Sequence, residues 1–545
     1  MMRSDYSCGN RMVSRRAFIL LVVTVVVSLL TLAAYTFTGT MLVENQASMM
    51  FGRDVEARMM AESAIEFAAM RIAEHQADPS SVDLFHDPQT FQGVMLEESP
   101  VPRGQVRFSV VVPNDSSNLS TNMRFGVLSE NSRFNLNRLL EFVDDEDETT
   151  DPYLALSYVP GMTEDIAAAI VDWIDSDDER SLGGAESADY ELLAIPYSAR
   201  NGPMESIDEL LKIQGVTPAL FYGEDANRNG VLDPNENDGA ASLPLDDQDD
   251  ELDIGWREYF TVSSRELNTM PDGAERINLN QGLMTELFDA IEPDYGEEAA
   301  QFVVAYRLFG NENASAATQA SLTVAQKDAA TAVGKAVTGG VEGSVTRAGL
   351  DLTQVAGFSF RSIYDLIDAE IPATVNGGMT TLISPWTSEN VLIDMAELEQ
   401  IFTWVDDAYF DGRVNINTAP HHVLMAIPGM TESIADAIIA ARPQISADGF
   451  SRNVMAVRTT PAWILAEGIV DLETLQLLGP WLTTGGGIYR FQAVGHYDQG
   501  GPNTRLEAMI DATQSPPRII FQRDLTSLGR GFHPSYLTPG AELSR

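Results

Sequence analysis

Asp225, Asn227, Asn229, Gly230, Val231, Asp233 and Glu236 occupy positions 1, 3, 5, 6, 7, 9 and 12 of a single twelve-residue stretch. That spacing is the oxygen-ligand pattern of a calcium loop of the EF-hand type. A hard divalent cation needs a shell of oxygens. Asp225, Asn227 and Asn229 offer side-chain oxygens, Val231 its carbonyl, Asp233 a direct or water-mediated contact, and Glu236 two oxygens, while Gly230 permits the sharp turn. The flanks do not read as two long paired helices, and Pro234 follows position 9. The expectation is therefore a loop holding a structural Ca2+, not a sensor that opens on binding. Asp175, Asp177 and Glu186 form a candidate second metal set, with helix capping or plain solvation as the competing reading. The acids at 246, 247, 249, 250, 251 and 253 read as a solvated linker.

Catalytic chemistry finds little support. The six histidines are scattered, and the adjacent His421 and His422 would point about 100° apart on a helix, poorly placed to share a metal. Gly334-Lys335 lacks the rest of a phosphate loop, and neither a nucleophile elbow nor a zinc-protease motif occurs. The expectation is a protein that is not an enzyme.

The chain has 545 residues, 44% of them hydrophobic, which is enough for several ordinary cores. Its 34 Lys and Arg face 80 Asp and Glu, a formal charge of -46, so a polyanion meets repulsion over most of the surface. The single cysteine, Cys8, precedes the first apolar segment, so disulfides stabilise nothing in the body.

Stepping outward from these residues, the chain writes one phrase three times: Arg133-Phe134-Asn135-Leu136-Asn137, Arg276-Ile277-Asn278-Leu279-Asn280 and Arg413-Val414-Asn415-Ile416-Asn417. The first and third copies continue into Pro160-Gly161-Met162-Thr163-Glu164 and Pro428-Gly429-Met430-Thr431-Glu432. Pro and Gly stop one helix, Thr caps the next and Glu meets its positive end, a helix-hairpin-helix pattern. The middle copy, with Pro293 and a late Gly296, reads as degraded. Such hairpins often grip phosphates through backbone amides, but the acidic context, including residues 144–148, opposes nucleic-acid binding.

From Ala17 to Thr38 run 22 uncharged residues, about 33 Å as a helix, which is long enough to cross a bilayer. Arg3, Arg11, Arg15 and Arg16 precede this segment, so the leader is expected in the cytoplasm and the acidic body outside. With no proline before Pro79, the helix should run on into a soluble stalk.

A short basic leader, an apolar helix starting at Phe18 and an amphipathic continuation resemble the type IV pilin and pseudopilin family. The resemblance implies cleavage by prepilin peptidase between Ala17 and Phe18, and methylation of the new terminus. Ala17 stands where the family usually has Gly, and Val22 where most pilins carry Glu. A subunit with no neighbour ahead of it needs no such acid, so Val22 suits a tip position.

Asp172-Trp173-Ile174-Asp175-Ser176-Asp177-Asp178, Gly184-Ala185-Glu186, Asp189-Tyr190, Pro196-Tyr197 and Asn201-Gly202-Pro203 are, in that order, similar to the helical insertion of the type II secretion minor pseudopilin called subunit K. The stretch from Tyr259 to Ser263 and the strands near 488–498 and 505–511 are similar too. The resemblance implies calcium in the helical head and a tip position in the pseudopilus that initiates or caps assembly. It also implies contact with the I and J minor pseudopilins, the pseudopilus shaft and exported proteins, and a single-pass inner-membrane protein with a periplasmic body. The alternative is a membrane-anchored DNA receptor for uptake, since residues 413–442 also resemble the competence receptor family.

The expected fold is α+β: a long pilin-type N-terminal helix, a small antiparallel sheet from about 106–112, 125–129, 258–263 and 488–498, and large helical insertions with helix-hairpin-helix repeats. The division follows as leader 1–17, membrane and stalk helix 18–76, pseudopilin part 77–130, first hairpin insertion 131–220, and calcium loop with acidic linker 221–255. A strand and the degraded repeat take 256–309, a flexible insertion 310–349, the third hairpin region 350–452, and C-terminal strands and tail 453–545.

Overall fold

The computed structural model describes residues 12–78, 81–98, 104–113, 123–142, 151–310, 345–442 and 458–539. The leader to residue 11, the acids at 144–148, Gly334-Lys335 and nearly all of the proposed flexible insertion lie outside them.

One helix, Met12–Ala77, carries both the apolar segment and the stalk, as its lack of proline suggests. Its first part, from Phe18 to Phe51, exposes its large side chains, Phe18 at 68% and Phe51 at 70%. Its second part buries a stripe, Ala57, Ala61, Ala64, Ile65, Ala68 and Ile72, at the three- and four-residue spacing of one helical face. Small residues let this face lie close to a sheet. At Gly495, a Cβ would fall 1.9 Å from the Ala57 carbonyl oxygen, so only glycine admits the contact.

That sheet is antiparallel, in the order Arg518–Asp524, Thr504–Asp511, Ile488–Tyr497, Val106–Pro113 and Met123–Phe125. Off this path, Leu128–Ser129 pairs with Ile488–Tyr497, through Ser129 with Tyr489 and Leu128 with Arg490. The expected strand at 258–263 is not part of this sheet. Trp256–Tyr259 is helical, and Phe260–Thr261 pairs instead with Phe134–Asn135. Arg518–Asp524, which sequence reading did not separate from the tail, forms the edge. The fold class is α+β.

The head holds a second core and is built from three copies of one unit. In each, the strand inside the Arg-x-Asn-x-Asn phrase pairs in parallel with a strand far downstream: Phe134–Asn135 with Phe260–Thr261, Ile277–Asn278 with Phe402–Thr403, and Val414–Asn415 with Leu482–Thr483. The first Asn of the phrase accepts the N–H of the second, at 3.1 Å for Asn135, 2.8 Å for Asn278 and 2.9 Å for Asn415. The second Asn then donates its amide to a distant carbonyl, Met204, Phe360 or Arg458. Two asparagines thus turn the chain and stitch the unit shut, which no apolar side chain could do. The middle copy keeps this whole scheme. There Met284–Phe309 is two helices that meet at Gly296, whose φ of +84° and ψ of 170° are not helical.

Asn415 also donates to the Thr484 and Gly485 carbonyls, both at 2.9 Å. Asn415→Ala leaves these groups and the Asn417 N–H without partners, at an expected cost of about 1–3 kcal/mol. The urea midpoint of the purified chain should fall accordingly, and an unchanged midpoint would remove the stitching role.

Candidate metal centre

The Asp225 loop grows out of the first unit. Thr217 caps Pro218–Tyr222 by accepting from the Leu220 N–H at 3.2 Å, and Gly223 (φ +67°) ends that helix. Gly223 then bridges Ile254, and the Glu224 N–H donates to the Asp253 carbonyl at 2.9 Å, so the loop is closed at a neck.

Inside the neck the carboxylates are held by backbone amides. Asp225 accepts from Asn229 at 3.0 Å and Gly230 at 2.8 Å, the latter made possible by φ +68° at Gly230. Glu236, fully buried, accepts from Ala226 and from Asp233, both at 3.0 Å. Asp233 accepts from the amides of Asn227 at 2.5 Å and Asn229 at 3.0 Å. The Asn227 Oδ1 is buried with no donor. Burial raises the Glu236 carboxyl to about 7, with Asp225 and Asp233 adding to the rise and the two N–H bonds opposing it. Several oxygen atoms of the loop, one of them orphaned, thus lie where negative charge is costly. This suits a cation. Val231 contributes its N–H to Asn229 at 2.7 Å, consistent with the turn at position 7.

The loop does not hang free. Arg505, fully buried, donates to the carbonyls of Asn227 at 2.8 Å and Arg228 at 3.1 Å, and Gln492 donates to Arg228 at 2.5 Å. Asn229 reaches the Gly531 carbonyl at 2.6 Å. Both Arg505 and Gln492 stand on sheet strands, so the loop bridges head and sheet, a role its sequence did not suggest. The acids after it are more ordered than a solvated linker, since Asp246 accepts from the Asp238, Gly239 and Gln248 N–H groups.

The second set is brought together with one change of member. Asp172, Asp175 and Glu186 each place a carboxylate oxygen within 4.8 Å of the others, and among the described residues no other such acidic or histidine group converges as tightly. Asp172 and Asp175 lie one turn apart along Glu164–Ile174 and its cap, hence on one face. Asp177 lies past the helix end, exposed, and accepts from the Glu179 N–H at 2.7 Å instead. The three-residue spacing of Asp172 and Asp175 was the available signal. Asp175 Oδ1 and Glu186 Oε1 are buried with no donor, and a Cβ at Gly184 would lie 2.0 Å from Asp172 Oδ2. Burial, then Asp177 and Asp172, raises Asp175 to about 6; burial raises Glu186 to about 7, with Asp175 and Asp172 adding to it.

Residues 132–222 and 414–466 match two family models, each described as "Type II secretion system (T2SS), protein K". Two segments of the chain are thus similar to protein K of the type II secretion system. The two matches fall on the first and third units, and the Asp172 cluster lies inside the first while the Asp225 loop lies just beyond it. A protein K from Pectobacterium carotovorum subsp. carotovorum is 35% identical over 98 residues, which is 16% of this chain and 30% of that relative. The chain therefore matches under a third of the relative's length. A solved structure, titled as the GspK-GspI-GspJ complex from the enterotoxigenic Escherichia coli Type 2 Secretion System, aligns over 88% of this chain and 99% of its own at 11% identity and a TM-score of 0.35.

Proposed function

We propose that this protein is a minor pseudopilin at the tip of a type II secretion pseudopilus, where it initiates or caps assembly for protein export. The two matches to protein K family models are the observation that carries the reading. The unbroken helix supports it, because its exposed apolar part is long enough to cross a membrane and its buried stripe grips the sheet. In this reading the protein is an inner-membrane, single-pass subunit with a cytoplasmic leader and a periplasmic body. Prepilin peptidase cuts it between Ala17 and Phe18. Its helix packs with the shaft through apolar contacts in lipid, and its head meets the I and J subunits and exported proteins. It acts by assembly and contact, not by catalysis.

The paired helices Pro152–Ser157 with Glu164–Ile174, and His421–Met425 with Glu432–Ala441, serve here as helix-hairpin-helix packing modules. Their turns are occupied by protein. A Cβ on Gly161 would strike Leu220 and one on Gly429 would strike Leu477, and Trp256 donates to the Pro160 carbonyl at 2.7 Å. Arg413 is paired with Glu266 at 2.8 Å, and Arg442 donates to the Ile416 and Ala419 carbonyls. These contacts leave the third hairpin without cations to offer a phosphate, which weighs against the DNA-receptor alternative. A structural Ca2+ would be held by Asp225, Asn227, Asn229, Val231, Asp233 and Glu236, and a second by Asp172, Asp175 and Glu186. When bound, the ion neutralises buried carboxylates and fixes the loop.

Mass spectrometry of the mature N-terminus from cells tests this reading. A chain beginning at Phe18 with a methylated amine is expected. An intact leader would mean a fixed membrane anchor and would overturn the pseudopilin assignment.

A further inference from the structure

A cavity of about 50 Å³ opens where the head, the Asp225 loop and the sheet meet, and its charged lining is unusual for so acidic a chain. Four arginines, Arg133, Arg228, Arg257 and Arg490, face three carboxylates, Asp225, Glu258 and Glu507. The carboxylates are engaged, save Glu507 Oε2, which is buried with no donor. Asp225 spends both oxygens on loop amides, Glu258 is bonded by Arg133, and Glu507 Oε1 is bonded by Arg257. Glu130, buried just behind, is shared by Arg133 at 2.6 Å and Arg490 at 2.8 Å.

Two consequences remain at the cavity. Arg228, half-buried, has no carboxylate partner and only the Tyr222 ring beneath it at 4.4 Å. Arg257 Nε and Arg490 Nη1 are buried with no acceptor, the latter 3.7 Å from the nearest Glu507 oxygen. Arg257 is 5% exposed and Arg490 7%. Unpaired guanidinium donors out of water are costly, and their planar forks match an oxyanion.

We propose that this cavity binds a small oxyanion of carboxylate or sulfate size, held by Arg228, Arg257 and Arg490. The volume admits one such ion. The site does not rest on the pseudopilin assignment, but Arg228 stands between two of the proposed calcium ligands, so the test holds calcium constant.

The test uses the full chain in detergent with calcium held constant, titrated with sodium sulfate and, separately, sodium acetate. Ionic strength is balanced with sodium chloride, whose anion carries no oxygen. The thermal midpoint should rise and saturate at millimolar anion, and equilibrium dialysis with labelled sulfate should count about one site per chain. Arg228→Gln, at a position outside the ion-pair network, should fold normally and need at least tenfold more anion, while Arg228→Lys should fall between the two. A sulfate response without an acetate response would assign the ion to the tetrahedral class, and the reverse to carboxylates. An identical, unsaturating rise in wild type and Arg228→Gln would be general salting-out stabilisation over a water-filled cavity, and would overturn the proposal.

Discussion

Glu236→Gln should abolish the stabilisation by calcium that the proposed loop site would provide. In the wild type, calcium at a hundredfold excess over its dissociation constant should add about 2.7 kcal/mol to the stability of the loop-bearing region, seen as a rise in thermal midpoint that chelator reverses. Glu236 is the residue offering two oxygens, and an amide in its place offers one and no charge. The apo variant should lose little, because glutamine still accepts from the Ala226 or Asp233 N–H that Glu236 holds. Protons compete with the ion. With the bare Glu236 carboxyl raised to about 7, calcium affinity should weaken as pH falls from 7 toward 5. Asp175→Asn separates the two candidate ions, since it should remove a second calcium-dependent increment and leave the first. Hydrogen exchange adds a spatial readout. Chelation should loosen the loop and also Thr504–Asp511, whose Arg505 holds the loop carbonyls. Equal calcium responses in wild type and Glu236→Gln would dismiss the loop as a metal site.

Glu130→Ala should destabilise the protein by about 3–5 kcal/mol, because it leaves buried guanidinium groups uncompensated. Glu130 is fully buried, accepts from Arg133, Arg490 and the Thr261 hydroxyl, and ties the head to the strand Ile488–Tyr497. Arg257 with Glu507 makes a second tie of the same kind, to Thr504–Asp511. Burial alone would raise the Glu130 carboxyl, but Arg490 and Arg133 outweigh it and hold it below its ordinary value. For Glu258, burial is likewise outweighed, here by Arg133, Arg490 and Arg257, and the group sits at about 2. Since both folded values lie below the unfolded ones, their stabilisation is present above about pH 4.5 and is lost as pH falls toward 2. Acid unfolding followed by intrinsic fluorescence should show Glu130→Ala with a midpoint at higher pH than wild type. Coincident acid transitions would show that the ties are neutral in effect.

The sequence yielded its local signals well and its distant ones poorly. Thr163 and Thr431 cap helices where they were expected to, because a cap needs only residues within three positions. The long helix was legible from an unbroken apolar run, and the strands near 488–497 and 504–511 from the resemblance to a known family. The Asn-x-Asn phrases were visible as repeats, yet their meaning was not. Their partners Met204, Phe360 and Arg458 lie tens of residues away and share only a backbone carbonyl, which leaves no trace in residue type. Phe260–Thr261 was misplaced for the same reason, since two residues of strand fit any sheet. At the metal sites, loop spacing was readable because one short segment supplies the whole pattern. Asp172 was missed because it was read as part of a family phrase, although its helical spacing from Asp175 was in view.

The head interrupts the sheet. Val106 pairs with Tyr497, and the chain leaves the sheet after Ser129 and re-enters it beside that residue, at Tyr489. For a nascent polypeptide this means that Val106–Pro113 must wait for a partner strand made nearly four hundred residues later. Closing so long a loop from a disordered chain is slow. A head that folds first delivers both of its ends to one point and shortens the closure to a few residues. The order of events is then head before sheet, with the buried stripe of the N-terminal helix uncovered until the last strands emerge. Until then the stripe from Ala57 to Ile72 lacks much of its cover, and synthesis of the C-terminal strands is the step that ends the exposure.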